Sequence, residues 1–325
     1  MDRNRSIATI VVALLFALSI VGCTAPISTP PASASTPPVA VGPRPSASVA
    51  SKPSDRATTA PTVEPDATEP LTEEFPRDQF SDPTTIDNEW FPLVPGTQWV
   101  WEGEVNVDED RVDHHVVFTV TDLTKVIDGV TTVVAVDQDY LQDELVELEL
   151  AFFAQDDTGT VWHLGQYPEE YEDGEFVAAP VWLAGMGAAK AGITMHAEPR
   201  YGDRSYSEGW GPEVSWTDRA RVLETGSETC VPAGCYENVL VIDEFNRDEP
   251  DAHQLKYYVA GVGGVRVGWA GALEADQEEL GLVSVTQLGA EDIATVRRTA
   301  LALEARAYER SPDLYGLTAP AEPAG

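Results

Sequence analysis

Thr97-Gln98-Trp99-Val100-Trp101-Glu102-Gly103-Glu104-Val105 decides the fold class. Trp99, Trp101, Gly103 and Val105 alternate with Val100, Glu102 and Glu104. A period of two sends the two sets to opposite faces of a strand, so this is a half-buried β-strand. Upstream, residues 71–95 are rich in Pro and Asp and close on Trp90-Phe91-Pro92-Leu93-Val94-Pro95-Gly96. Pro92 and Pro95 exclude a regular central strand there. Trp90 and Phe91 are expected to plug an edge of the core.

Downstream, strands are expected over 112–122 and on both sides of Asp128-Gly129, a short hairpin signal. Residues 145–154 and 160–167 flank Asp156-Asp157-Thr158-Gly159 as a further hairpin. Residues 168–212 are less regular, with an acidic loop at 169–175 and a run of small residues at 184–192. Strands resume at about 214–224, 227–231, 236–246, 253–259, 264–269 and 280–288. From Gly289 the period becomes helical: Ile293, Val296, Ala300, Leu301, Ala307 and Tyr308 share a face, with Glu291 and Asp292 in the first turn. The expected fold is mainly β, an antiparallel curved sheet or half-barrel of about ten strands over 71–288, with one C-terminal helix over 289–310 and a frayed tail over 311–325.

The N-terminus says where such a domain works. Arg3 and Arg5 precede an uncharged apolar run over 7–21. That run is shorter than the ~20 apolar residues a membrane span needs and suits a signal-peptide core. It ends in Leu18-Ser19-Ile20-Val21-Gly22-Cys23, which resembles a bacterial lipobox. The resemblance implies that residues 1–22 are a signal peptide and that Cys23, carrying palmitate-like acyl chains, becomes the lipidated N-terminus. The alternative is an ordinary signal peptide or an anchor helix with an incidental cysteine. A diacylglyceryl thioether on Cys23 supplies the two chains that stable anchoring takes. The expected address is the outer face of the cell membrane, with the membrane itself as one partner.

Residues 24–70 hold 11 of the chain's 24 prolines and are rich in Ala, Ser and Thr. Such a segment buries too little apolar surface to offset its ordering entropy, so 23–70 is expected to be a disordered tether. With proline extending it towards roughly 3.1 Å per residue, it can hold the domain on the order of 100 Å from the membrane.

Charge excludes one class of function. Residues 1–70 contain five of the 20 Lys/Arg and five of the 55 Asp/Glu, which leaves 15 basic against 50 acidic side chains in the domain. A surface this acidic repels nucleic acid, so no nucleic-acid partner is expected. Cys230 and Cys235 flank Val-Pro-Ala-Gly. Two cysteines five apart around a turn face each other across a hairpin and suit a disulfide outside the cytoplasm.

Glu89-Trp90-Phe91-Pro92-Leu93-Val94-Pro95-Gly96-Thr97-Gln98-Trp99 resembles the start of a family of secreted bacterial proteins and lipoproteins. The likeness continues through Thr124-Lys125-Val126-Ile127-Asp128-Gly129-Val130 and Lys256-Tyr257-Tyr258-Val259-Ala260-Gly261-Val262-Gly263, and covers 86–288. The Tyr-Tyr-x-x-Gly-Val-Gly ending is also similar to a strand-turn-strand of half-barrel lipid-carrier lipoproteins. The resemblance implies no catalytic residue. The two cysteines depart from its plainer Val-Pro-x-Gly-x-Phe turn.

No residue pattern assigns chemistry. Gly-x-Ser-x-Gly and His-Glu-x-x-His are absent. His114 and His115 are neighbours on a strand and point to opposite faces. Asp137, Asp139, Asp143 and Glu144 have calcium-like density without the EF-hand glycine, and a solvated acidic edge is the expectation. No metal, cofactor or catalytic residue is assigned. The aromatics Trp99, Trp101, Trp162, Trp182 and Tyr257 are candidate ligand-lining residues. The leading expectation is an extracytoplasmic binding or interaction protein for an apolar small molecule, a lipid or a protein partner. Second is a cell-wall-directed enzyme working through paired carboxylates beside tryptophans, and third a structural, partner-binding lipoprotein. Cys23→Ala is expected to release the protein or leave it uncleaved, read by Triton X-114 partition and the mass of the product. A lipid-modified, membrane-bound Cys23→Ala protein would contradict the anchor.

Overall fold

The computed structural model describes residues 69–107, 110–249 and 251–324. The expected signal peptide, Cys23 and the expected tether up to residue 68 lie outside the described residues. The first meander consists of β1 (Thr97–Val107), β2 (Asp110–Ile127), β3 (Val130–Leu141), β4 (Glu144–Gln155) and β5 (Val161–Glu172). Short pieces follow: β6 (Glu175–Ala178), β7 (Trp182–Leu183), β8 (Lys190–Met195), β9 (Tyr206–Ser207) and β10 (Gly209–Trp210). The second meander is β11 (Arg219–Val231), β12 (Gly234–Phe245), β13 (His253–Val259), β14 (Gly263–Ala270) and β15 (Glu279–Gln287). Helix α1 (Ala290–Arg310) and β16 (Glu322–Pro323) complete the chain.

All the described strands form one 16-stranded antiparallel sheet. About ten were expected. The excess is mostly β6, β7, β9, β10 and β16, pieces of two to four residues that no periodicity can mark. The Asp128-Gly129 hairpin forms with both residues at positive φ. β2 runs on through Asp122, where a break was expected, by way of a bulge between Val120 and Thr124.

The two meanders join where β1 pairs with β15. The hydrogen-bonded path from β10 to β9 is not closed, yet its two terminal strands are consecutive in sequence. Ser207 pairs with Arg219 of β11 at one end, and Gly209 pairs with Ala191 of β8 at the other. The intervening Glu208 donates its N–H to Asp218 O at 3.1 Å. A five-residue clasp, Tyr206 to Trp210, thus lies on both ends of the sheet. Glycine makes it possible: a Cβ on Gly192 would sit 2.0 Å from the Gly209 nitrogen.

Helix α1 covers the outer face of β2 and β4. It buries Ala300, Leu303, Glu304 and Ala307 and leaves Leu301 exposed, so its buried face is rotated from the expected one. The buried Lys125 ammonium explains the rotation. It donates to Glu304 Oε1 at 2.8 Å, Tyr308 Oη at 3.1 Å and Ala319 O at 2.6 Å. A buried ammonium needs such acceptors, and Ala319 lies in the tail expected to fray. That tail instead folds back. Tyr315 packs fully buried against Phe152 and Tyr167, Ala321 N donates to Glu304, and β16 pairs with β2.

Glu69 and Pro70, expected to belong to the tether, are held by the domain. The buried Arg219 guanidinium donates to Ser205 O at 2.7 Å and Pro70 O at 3.0 Å, and Glu69 accepts from Ser205 N at 3.1 Å. A buried guanidinium fixes the chain that supplies its acceptors.

Gly192→Ala is expected to destabilise the domain by about 3 kcal/mol or more, because its methyl group meets backbone that cannot yield. Urea unfolding measures this, and an unchanged midpoint would show that the clasp is not closely packed.

Candidate functional site

Residues directly opposite on paired strands share a face, so the register identifies the inner face of the sheet. One row runs Trp99, Phe118, Asp137, Glu149 across β1 to β4. The next runs Trp101, Val116, Asp139, Glu147, Glu170 across β1 to β5. Each row starts apolar on β1 and β2 and turns acidic on β3 and beyond.

The apolar half contains a cavity. Phe91, Pro92 and Leu93 of the lead-in segment roof it, and Trp99, Trp101, Phe118 and Tyr258 are its ring walls. It holds about 580 Å³ of space, including an open mouth. The two indoles are fixed: Trp99 Nε1 donates to Val262 O at 2.8 Å and Trp101 Nε1 to Gly264 O at 3.2 Å. Their N–H groups are spent on backbone, so apolar ring surface faces the cavity.

Three charged residues reach the lining: Asp137, Lys256 and Arg266. Asp137 Oδ1 has no hydrogen-bond partner among the described residues. Burial pushes its carboxyl up to about 8; Asp139 adds to the shift, while Lys256 and His114 oppose it. Asp137 is therefore largely a neutral acid at pH 7 and can donate a hydrogen bond. Lys256 Nζ stands 3.9 Å from Glu244 Oε2.

Of the aromatics singled out in the sequence, the cavity brings together Trp99 and Trp101. Trp162 lies apart, donating to Asp156 Oδ2 at 2.8 Å and packing on Phe75. Trp182 belongs to a separate cluster, stacked 5.9 Å from Trp216. Tyr257 lies beneath the Arg266 guanidinium at 5.1 Å, and its neighbour Tyr258 supplies the cavity's ring instead. Adjacent strand residues point to opposite faces, so the Tyr-Tyr pair contributes one ring to each. Cys230 and Cys235 are opposite residues of β11 and β12 and form the disulfide.

The acidic half is the feature that the sequence did not reveal. Asp137 and Asp139, expected on a solvated edge, are buried, as are Glu147 and Glu149. The exposed acids of that stretch are Asp143 and Glu144, at the β3–β4 turn. Burial raises Glu147 and Glu149 well above the carboxylate range, and neighbouring acids add to it. Two cations sit among these acids. One is Lys256. The other is His114, whose Nε2 is 2.6 Å from Asp139 Oδ1 and whose Nδ1 is 3.1 Å from Glu278 Oε1. Burial alone would lower His114, but Asp139 and Glu278 override it and raise it to about 10. His115 points the other way and stacks on Tyr140 at 4.4 Å. His163, between Phe153 and Trp182, is pushed down to about 3 by burial and stays neutral.

The paired-carboxylate reading needs two acids beside tryptophans. Asp137 is the one carboxylate lining the apolar cavity, and a smaller acid-rich hollow at the other end of the inner face has no tryptophan in its lining. No α-helix among the described residues is long and apolar enough to cross a membrane.

No protein-family model and no curated protein matches the chain. Among solved structures, a Bacteroides fragilis protein described as exported, with a YmcC-like fold, superposes with a TM-score of 0.36 and 14% identity, over 61% of this chain and 99% of that one. A Parabacteroides distasonis protein described as a lipoprotein gives 0.34 and 14%, over 63% of this chain and 100% of that one.

The buried groups set a pH dependence. Asp137 and Asp218 titrate near 8 in the fold, against about 4 in an unfolded chain. The folded state therefore holds more protons between those values, and stability falls as pH rises through that window. His114, raised to about 10, contributes stability that is complete below its unfolded value near 6.5 and is lost towards 10. Both effects have the same sign. The melting temperature is expected to fall steadily from pH 6.5 to pH 9, above the range in which His163, lowered to about 3, acts in the opposite sense, in calorimetric scans at constant ionic strength. A rise across that range would contradict the protonation states assigned.

Proposed function

We propose that this chain is a lipid-anchored extracytoplasmic binding protein. Cys23 holds it to the membrane, the tether spaces it from the surface, and the domain carries an apolar small molecule or lipid on the inner face of its sheet. The observation that supports this reading is the cavity walled by Phe91, Trp99, Trp101, Phe118 and Tyr258. Small-molecule sites are mostly apolar with a few placed polar groups. Here Asp137 and Lys256 are those groups. They give the ligand one polar end to register against, while the ring walls supply the area that binding needs.

Gly264 provides the test. Gly264 lines the cavity, and a Cβ built there meets nothing closer than Trp101 at 3.7 Å and Tyr258 at 3.8 Å, so a longer side chain starts without a clash and competes for the cavity's space. Wild-type protein is expected to enhance the fluorescence of 1-N-phenylnaphthylamine with a Kd of about 1 μM, roughly −8 kcal/mol. Gly264→Leu is expected to weaken this by about tenfold or more, with the melting temperature little changed. No enhancement by the wild type, or equal binding by Gly264→Leu, would sink the reading.

A further inference from the structure

The acid-rich hollow is a second concavity, distinct from the apolar cavity. It lies beside the clasp, holds about 340 Å³ of space including its mouth, and is lined by Glu208, Asp218, Glu244, Asn246, Glu249 and Gln254 among others. Glu208, Asp218 and Glu244 are 3%, 5% and 8% exposed, so three carboxyls face it from the buried side.

The groups left open there are two buried carboxyl oxygens and one amide oxygen. Asp218 Oδ1 accepts from Asn246 Nδ2 at 2.8 Å, but Asp218 Oδ2 has no partner. Glu208 Oε2 and Gln254 Oε1 likewise have none. The donors of the lining are already used: Asn246 Nδ2 on Asp218 and Thr217, and Gln254 Nε2 on Glu278. A buried polar atom without a partner costs free energy, and here three such oxygens belong to residues lining one space, each able to accept from a cation once the carboxyls give up their protons.

We propose that this hollow binds an organic cation rich in N–H donors, an ammonium or guanidinium group, in preference to a metal ion. A guanidinium offers five donors in a planar fork and an ammonium three, which matches several separated acceptors. A metal ion needs its ligands within about 2.5 Å of one point, and no three His, Cys, Asp or Glu side chains among the described residues are grouped to do that. Burial raises Glu208, lifts Asp218 to about 8 and lifts Glu244 to about 7, and a cation in the hollow offsets that desolvation. The guanidinium of Arg219 does not serve, since its donors go to Ser205, Pro70 and Leu71.

The test is titration calorimetry of the whole mature chain with agmatine, spermidine, calcium chloride and tetramethylammonium chloride. Agmatine carries both donor-rich groups, whereas tetramethylammonium carries charge without N–H. Agmatine or spermidine is expected to bind at least about tenfold tighter than tetramethylammonium or calcium, the fold-change that one charge-assisted hydrogen bond supplies. Glu208→Gln and Asp218→Asn are each expected to weaken that binding by about tenfold or more. Asp143→Asn, an exposed acid at a turn of positive φ that Asn tolerates, is expected to leave it unchanged. Both changes are isosteric and remove the group that would ionise on binding, so melting curves should show folded protein. The wild-type ranking decides the matter by itself if either variant fails to fold. Tighter binding of calcium, equal binding of tetramethylammonium, or agmatine binding indifferent to both variants would overturn the proposal.

Discussion

A sheet whose inner face is buried must exclude water at both ends, and in this protein one clasp does so. Tyr206 to Trp210 pairs with β11 on one side and with β8 on the other, and Gly192 lets its backbone approach. The sheet remains an open path of hydrogen bonds, but its inner face does not behave as an open face. Glu208 and Tyr206 are buried within the clasp. The raised acids of β3 and β4 follow from the same exclusion, since they point inward on strands whose outer face is already taken by α1.

The inner face is divided. Its apolar half, between β1, β2, β13 and β14, holds the cavity. Its acidic half extends from β3 to β5 and reappears at β9 and the ends of β11 to β13. Lys256 lies at the boundary: it lines the apolar cavity and stands beside Glu244, which lines the acidic hollow. Chemistry at one site is therefore felt electrostatically at the other. A ligand group that draws on Lys256 weakens its attraction to Glu244 and leaves the hollow more negative. In a low-dielectric interior such coupling is stronger than on a surface.

Much of the fold was legible in the sequence. Alternation marked β1, Asp-Gly marked the β2–β3 turn, and the shift of period at Gly289 marked α1. The rotation of α1 was hidden, because a helix wheel does not show that Lys125 on a strand will demand Glu304. The folded tail was hidden for the same reason. The site was legible in part. Trp99 and Trp101 are on one face of the strand that decided the fold, and the cavity lies against that face. The buried acids were not legible. In β4, Glu147-Leu148-Glu149-Leu150 reads as a strand with glutamates in water and leucines in the core. Both sets are buried here, because α1 takes the leucine face and the sheet folds around the other. Only the register connecting Asp137 to Glu149 and Asp139 to Glu147 reveals the cluster.

The central claim is that the apolar half of the inner face holds a ligand. Native mass spectrometry of the mature chain purified from its own cell envelope tests it most directly, against a denatured control. The account predicts an added mass that is lost on denaturation, and lost again when Gly264→Leu is purified in the same way. A wild-type protein carrying no added mass before denaturation, or a mass retained in full by Gly264→Leu, would contradict it.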